Sequence, residues 1–470
     1  MRILAARLAL LLLLSGAPAD AFAQADGSTP TVAAPAPLMP GVSPPSSVTA
    51  AVSPAAPAIP ASPTAPSDRT PAEVVKIILG LVAILALAYL AGDPRVIELE
   101  NALGISQAVT SGLPFVLMGL FAHHPEVDLL SDRVLAELQP LLPLGLGWIG
   151  LSLGFRFDAR VIETLPKSLA RGLLLTTGVP FLFVVAAAAL LLALSTGFSA
   201  DIEFLRDAIL LGSAGAVTAR TLPSFLRSRG VAQEDADRVA RLVQLEELAA
   251  MTGLLVVAAF FRPAGEAGWK LPGIAWIFVT LGMATAISGM IYAILAGVRG
   301  IAEIMVVLLG SVALLSGMAS FLRLSPVVVC FLSGALLRNL PGTWKTHVRD
   351  ALDRLERPVY LIFLVIAGAL WRVADWQGWA LLVLFVVARS GGKRLAVVLH
   401  QRRHPGDFAE LDRWSLSVSP LGALAVAIVV NAQTLYSSPT LPWIVTAVIG
   451  GAMVTEVFVQ IAWRARKASG

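Results

Sequence analysis

The stretch RLVQLEELAAMTG, residues 241–253, places two adjacent carboxylates, Glu246 and Glu247, inside a largely apolar segment. The segment predicts a helix of about 25 residues, and the two carboxylates lie roughly 15 Å from its basic end at 1.5 Å per residue. That depth is the middle of a hydrocarbon core about 30 Å thick. An ionisable side chain there costs at least about 2.5 kcal/mol, so both glutamates are candidate functional residues.

The composition around this stretch is that of a membrane protein. Of the 470 residues, 57% are hydrophobic and 14% are charged, against roughly a quarter charged in a soluble domain. The net charge of +4 comes from basic residues in short loops, so it indicates topology and not a nucleic-acid partner. The single cysteine, Cys330, excludes an intrachain disulfide and a thiolate metal cluster.

Apolar segments recur along the chain and predict an all-α polytopic membrane protein with about thirteen transmembrane helices. Their predicted starts lie near residues 74, 107, 139, 170, 206, 237, 271, 300, 324, 356, 376, 415 and 441. Lys and Arg concentrate in alternate loops, at residues 156–171, 220–241, 338–357 and 393–413. Because cytoplasmic loops are enriched in these residues, we expect a bacterial inner-membrane protein with a periplasmic mature N-terminus and a cytoplasmic C-terminus.

The two ends of the chain differ from the apolar region between them. Residues 1–23 have early arginines, an apolar run and a small-residue cleavage site, which predicts a signal peptide. Residues 24–72 are rich in Pro and Ala, which predicts a disordered exported linker. The transmembrane domain is predicted at 73–464, and a short cytoplasmic tail at 465–470.

The two mid-membrane carboxylates point in different directions, since adjacent helical residues are about 100° apart. For Glu246 the sequence suggests a partner at similar depth, Arg389 of the eleventh segment, in a buried ion pair. Glu247 is then left to bind a proton or a metal cation, because burial favours the protonated carboxyl when no cation is present. The alternative for Glu247 is a neutral, hydrogen-bonded core carboxyl without a transport role.

Two segments carry small and polar residues at membrane depth, residues 211–218 in the fifth segment and 417–423 in the twelfth. Transporters often hold their ion site where interrupted helices of two inverted repeats cross. Unwinding at these places would expose backbone carbonyls to a dehydrated cation. The expected side-chain donors are Ser213, Thr218 and Ser419. Close helix packing by small residues is the alternative.

Five motifs together resemble the sodium/hydrogen exchanger-like family of the monovalent cation:proton antiporter superfamily, over residues of about 74 to 463. They are Gly145–Asp158, Ser213–Ala216, Glu246-Glu247-Leu-Ala-Ala, Arg357–Gly368 and Ser419-Pro420-Leu421-Gly422-Ala423. The resemblance implies two inverted six-helix repeats with broken crossing helices at Gly215, Pro420 and Gly422, a homodimer, and Glu247 as the transport acid. The chain departs from the family in having glutamate there instead of aspartate and Gly215 instead of a hydroxyl residue.

The expected function is therefore secondary active exchange of Na⁺, K⁺ or Li⁺ for protons by alternating access, within the lipid bilayer. No nucleotide-binding loop or hydrolase motif is present in the sequence, so we expect neither an enzyme nor a cofactor, nucleotide or nucleic-acid partner, and no metal beyond the transported cation. Two alternatives remain, a receptor or scaffold on the same fold and an organic-anion symporter. A water-accessible cavity leading to Glu247 beside both broken helices would favour exchange.

Overall fold

The computed structural model describes residues 112–160 except 125, 127–129 and 131, residues 167–196, residues 202–262 except 229, residues 271–403 except 299 and 374, residues 419–469, and the isolated positions 78, 80, 82 and 86. The predicted signal peptide (1–23) and linker (24–72) lie outside the described residues. Almost all of the first predicted membrane helix, from residue 74, lies outside them as well.

The described residues form helices and no strand. In chain order the helices are α1 Leu113–Ala122, α2 Asp132–Leu138, α3 Leu141–Phe155, α4 Lys167–Thr196, α5 Ile202–Ala216, α6 Thr221–Ser228, α7 Gln233–Phe260, α8 Gly273–Gly297, α9 Ile301–Phe321, α10 Pro326–Asn339, α11 Lys345–Ala369, α12 Trp376–Arg403, α13 Ala423–Leu435 and α14 Leu441–Ser469. Seven stretches of this part are helical, long and apolar enough to cross a membrane. The all-helical polytopic class is confirmed, and the count of thirteen stays a prediction. Since α14 reaches Ser469, residues 465–469 of the predicted tail are helical.

The helices associate in two groups. The outer bundle consists of α1, α3, α8, α9, α10 and α11, in which α3 lies along α10 and α1 lies along α11. The crossing bundle consists of α4, α5, α6, α7, α12, α13 and α14, in which α12 packs lengthwise against both α4 and α14. Glycines bring backbones together within each group, since a Cβ on Gly154 would lie 2.0 Å from the Phe331 carbonyl oxygen of α10. Such close contacts drive helix association in lipid.

Two interruptions meet in the crossing bundle. One separates α5 from α6 at residues 217–220, and the other precedes α13 at residues 419–422. The backbone N–H of Ala219 donates to the Pro420 carbonyl at 2.8 Å, which joins the two interruptions directly. Pro420 lacks an N–H, so it cannot continue a helical ladder. A Cβ on Gly422 would lie 3.2 Å from the Ala219 Cα, so this close approach requires a residue without a side chain.

The interruption in the fifth segment lies later than the sequence suggested. Ser213 and Gly215 are within α5, so assigning them to unwound backbone was wrong. The helix continues through Gly215 because this residue packs tightly, with its Cβ position 2.9 Å from Val184 Cγ2 and 3.1 Å from Phe385 Cε2. Unwinding begins at Val217, where groups from α12 replace the missing helical donors.

Candidate functional site

Arg389 of α12 joins the two interruptions. A helix that ends inside the bundle leaves its last carbonyls without helical donors. Arg389 supplies them, because Nε donates to the Gly215 carbonyl at 3.0 Å and Nη2 to the Val217 carbonyl at 2.9 Å. Its Nη1 donates to the Ser419 carbonyl at 2.6 Å, and Nη2 also reaches Ser419 Oγ at 3.3 Å. The side chain is fully buried, so this guanidinium is an internal cross-link.

Glu246 pairs with Lys393, and its predicted ion pair with Arg389 was therefore wrong. Lys393 lies one helical turn beyond Arg389 on α12, and its Nζ donates to Glu246 Oε1 at 2.6 Å. The physical reason is that all three nitrogens of Arg389 already donate to the carbonyls of the interrupted backbone. Both side chains of the pair are almost completely buried, with 4% exposed in each.

The Lys393 ammonium lies among oxygens of the kind that bind monovalent cations. Besides Glu246, its Nζ donates to the Ala216 carbonyl at 3.0 Å and to Thr218 Oγ1 at 3.0 Å. A carboxylate, a carbonyl and a hydroxyl thus converge on one positive charge. Lys393 and Arg389 also stand at the C-terminal end of α5, where the helix dipole favours positive charge.

Glu247 is held by Arg220, so the expectation that it has no cationic partner was wrong. Arg220 lies in the first interruption, with Nε 2.6 Å from Glu247 Oε1 and Nη2 3.0 Å from Oε2. This is the bidentate geometry that arginine forms with carboxylates. The Arg220 side chain is 27% exposed and that of Glu247 is 8% exposed, so the pair lies at a boundary between protein and solvent.

A cavity of about 340 Å³, named the larger cavity below, reaches this second pair. Its wall includes Arg220 and Glu247, together with one residue of each interruption, Ala219 and Gly422. Two rim residues, Asp353 and Glu356, have side chains 53% and 38% exposed, so the cavity is connected to solvent. Further lining residues are Trp148, Ile149, Ser152, Leu153, Thr221, Arg357, Tyr360, Leu361, Leu421, Ala423, Leu424 and Glu456.

Arginines also contact the rim carboxylates. Arg156 of the outer bundle donates to Asp353 Oδ1 at 2.9 Å and also contacts Glu356, while Arg220 Nη1 lies 3.9 Å from Glu356 Oε1. Because Arg220 belongs to the crossing bundle, these charges connect the two bundles at the mouth of the cavity. Among the described residues, no group of three or more His, Cys, Asp or Glu side chains could hold a metal ion.

The predicted hydroxyl donors divide into two sets. Thr218 and Ser419 come together at the crossing, with 3.4 Å between their hydroxyl oxygens, and each contacts a cation of α12. Ser213 lies apart from them, inside α5 and against Gly253 of α7, where a Cβ would be 2.8 Å from Ser213 Oγ. Whether any of the three binds an ion stays a prediction.

The Glu246–Lys393 pair provides a first testable prediction. Glu246→Met or Lys393→Met alone strands a buried charge, so each should lower the free energy of unfolding by about 3–5 kcal/mol. The double substitution removes both charges and should cost clearly less than the sum. Thermal melting of the purified protein in detergent measures this, and simple additivity of the two single effects would contradict a direct pair.

Comparison with known proteins places this geometry in a known fold. No protein-family model and no curated protein sequence matches the chain. The structure matches that of the sodium proton antiporter MjNhaP1 from Methanocaldococcus jannaschii, with a TM-score of 0.59 at 16% sequence identity over 82% of this chain and 99% of that chain. The chain has a sodium/proton antiporter fold. It is a multi-pass membrane protein, and the matched protein is a transporter.

Proposed function

We propose that the protein exchanges a monovalent cation, Na⁺, K⁺ or Li⁺, for protons across a bacterial inner membrane. One observation carries the proposal. Glu247 lies in the wall of a solvent-connected cavity that is also lined by residues of both interruptions, Ala219 and Gly422. A carboxylate at the end of an aqueous path, beside unwound backbone, is an arrangement that suits a dehydrated cation.

In this proposal the cation binds at Glu247. The exposed carboxylates Asp353 and Glu356 at the rim attract cations to the cavity mouth. To reach Glu247 Oε1 and Oε2, a cation has to displace the guanidinium of Arg220. A proton on Glu247 and a cation compete for the same oxygens, so binding of one releases the other. This competition couples the two fluxes.

The neighbouring pair, Glu246 and Lys393, would take part in the coupling through charge. A cation arriving at Glu247 brings positive charge close to the adjacent carboxylate and its ammonium partner. Like charges disfavour each other, so cation binding favours loss of a proton from Lys393. The neutral amine would then no longer compensate the charge of Glu246. Both neighbouring carboxylates would be negative, and both would attract the bound cation.

Alternating access would arise from movement of the crossing bundle against the outer bundle. The bound ion would travel with α5, α7, α12 and α13, and the arginine and carboxylate contacts at the cavity mouth would break and re-form. We propose that the larger cavity faces the cytoplasm, in line with the basic loops around Arg220 and Arg357. Two inverted six-helix repeats and a homodimer are part of the same proposal.

The alternatives fit the site less well. An organic-anion symporter needs a basic group that can meet its substrate, whereas every nitrogen of the fully buried Arg389 donates to protein oxygens. Arg220 does line the larger cavity, but its guanidinium forms a bidentate pair with Glu247. A receptor without transport function would be expected to seal Glu247 among apolar side chains, whereas this residue lines a cavity connected to solvent.

Reconstitution tests the proposed function. Purified protein is placed in vesicles that contain a pH-sensitive dye, a proton gradient is set, and Na⁺, K⁺ or Li⁺ is added in turn. At least one cation should move protons, with vesicles lacking protein as the control. If none of the three cations changes the internal pH, cation:proton exchange is not the function.

Arg220 offers a further prediction in the same assay. Arg220→Gln removes the guanidinium that a cation has to displace from Glu247, so the cation concentration for half-maximal exchange should fall by roughly tenfold, equivalent to about 1.4 kcal/mol. Arg372→Gln, at an exposed position beyond α11, is the matched control and should leave this concentration unchanged. An unchanged half-saturation in Arg220→Gln would mean that the cation does not compete with Arg220.

A further inference from the structure

A second cavity, named the smaller cavity below, touches the Glu246–Lys393 pair and has a volume of about 30 Å³. It shares no lining residue with the larger cavity, so Glu247 belongs to one cavity and Glu246 to the other. Polar groups from α4 and α12, Thr176 and His400, lie in its wall beside apolar residues that include Val243 and Val397. A volume of this size can hold a water molecule if polar partners are present.

Glu246 supplies an unmatched acceptor for such a water. Its Oε1 accepts a hydrogen bond from the Lys393 ammonium, but its Oε2 is buried and has no hydrogen-bond partner in the structure. The residue is only 3% exposed. A buried carboxylate oxygen without a donor is costly, because it has lost its bonds to water and gained none in the protein. A water in the smaller cavity would remove that cost by donating to Oε2.

His400 lies two turns beyond Lys393 on the same helix, about 10 Å further along the axis at 1.5 Å per residue. The seven-residue spacing puts both side chains on one face of α12, and both line the smaller cavity. His400 is 3% exposed and packs close to α4, where a Cβ on Gly172 would be 3.1 Å from its Cε1. Imidazole takes up and releases protons near neutral pH more readily than any other side chain.

We propose that the smaller cavity holds water and that this water and His400 carry protons between the Glu246–Lys393 pair and the C-terminal end of α12. The inference rests on the proposed exchange function. A proton moves from Lys393 Nζ to Glu246 Oε1, and rotation of the carboxyl turns its O–H toward the water. The carboxyl then passes this proton to the water, and the water passes a proton to one ring nitrogen of His400. The other ring nitrogen releases a proton, so only protons move and charge is conserved. The protons of the Glu246–Lys393 pair therefore travel through the smaller cavity, separate from the cavity that the cation enters.

The test compares His400→Leu with His347→Leu, which makes the same substitution at an exposed position of α11. In the vesicle assay His400→Leu should lower the maximal exchange rate by at least about tenfold, since a positioned proton carrier contributes about 10²–10⁴. The cation concentration for half-maximal exchange should stay within about twofold, because Glu247 is untouched. Exchange by His400→Leu should slow further in heavy water, since proton transfer becomes rate-limiting in this variant. His347→Leu should match the wild type.

A second pair of variants changes the cavity without changing any charge. Val397→Ile adds one methylene to the wall and should displace the water and slow exchange as His400→Leu does. Val397→Ala enlarges the cavity and should preserve the rate. The pair carries the test if His400→Leu does not fold. Wild-type rates in both His400→Leu and Val397→Ile, or in Val397→Ile alone if the other variant does not fold, would overturn the proposal.

A readout independent of transport separates this inference from the proposed function. Infrared difference spectra, with Lys393→Met as the reference, follow the exchange of the Lys393 ammonium protons for deuterium. That exchange should be about tenfold slower in His400→Leu than in the wild type. If the wild type shows no cation exchange in vesicles but His400→Leu still slows the deuterium exchange, only the proposed transport function is refuted. An unchanged deuterium exchange rate would refute the proton path.

Discussion

Glu247→Gln should abolish cation-dependent proton movement, whereas Glu247→Asp should retain a measurable part of it. Glutamine preserves the shape of the side chain but removes the charge that binds a cation and the group that takes up a proton. It also leaves the Arg220 guanidinium without its bidentate partner, so a fixed positive charge remains in the cavity wall. Aspartate keeps the negative charge and shortens the side chain by one methylene, so we expect a reduced rate and a changed preference among Na⁺, Li⁺ and K⁺.

The dye assay in vesicles measures both variants against Glu303→Gln, a matched control at an exposed glutamate of α9. Protein yield and melting temperature have to be recorded as well, because a loss of folding would mimic a loss of exchange. The loss in Glu247→Gln should exceed about a hundredfold, which corresponds to roughly 2.7 kcal/mol of transition-state stabilisation. Wild-type exchange in this variant would remove Glu247 from the mechanism, and Glu246 would become the carboxylate to examine.

The fold was predictable because its determinants are local. A run of about 20 apolar residues has few alternatives to a membrane helix. Within such runs, Pro420 and the adjacent Gly422 indicate the second interruption, because one lacks a backbone donor and the other lacks a side chain. The first interruption was harder to place. Ser213 and Gly215 suit close helix packing as well as unwinding, and packing against α4, α7 and α12 decided the outcome.

The ion pairs were not predictable, because they depend on how far a helix extends beyond its apolar run. Lys393 and Arg220 were assigned to basic loops, where they served as markers of topology. In the structure α12 continues to Arg403, so Lys393 is in the interior one turn from Arg389. The four-residue spacing was the available signal, since residues four apart share a helix face. Arg220 gave no such signal, because its contact with Glu247 depends on where the chain resumes after the first interruption.

Arg389 should be the residue whose loss most destabilises the protein. Arg389→Met leaves three backbone carbonyls without their donors, those of Gly215, Val217 and Ser419. Each unsatisfied buried group costs about 1–3 kcal/mol, so the free energy of unfolding should fall by about 5 kcal/mol or more. The two interruptions would retain the direct Ala219 to Pro420 hydrogen bond. That single bond joins them without the cross-link from α12.

Arg389→Lys separates the role of charge from the role of geometry. Lysine keeps the positive charge at the end of α5. Its ammonium is a single point, however, and cannot donate to three separated carbonyls as a planar guanidinium does. We expect it to recover less than half of the stability lost in Arg389→Met. Melting curves in detergent provide the measurement, and Arg372→Met, at an exposed position, should change stability by no more than about 0.5 kcal/mol. If lysine restored full stability, charge at the α5 terminus would be sufficient, and the guanidinium cross-link would not be what holds the crossing together.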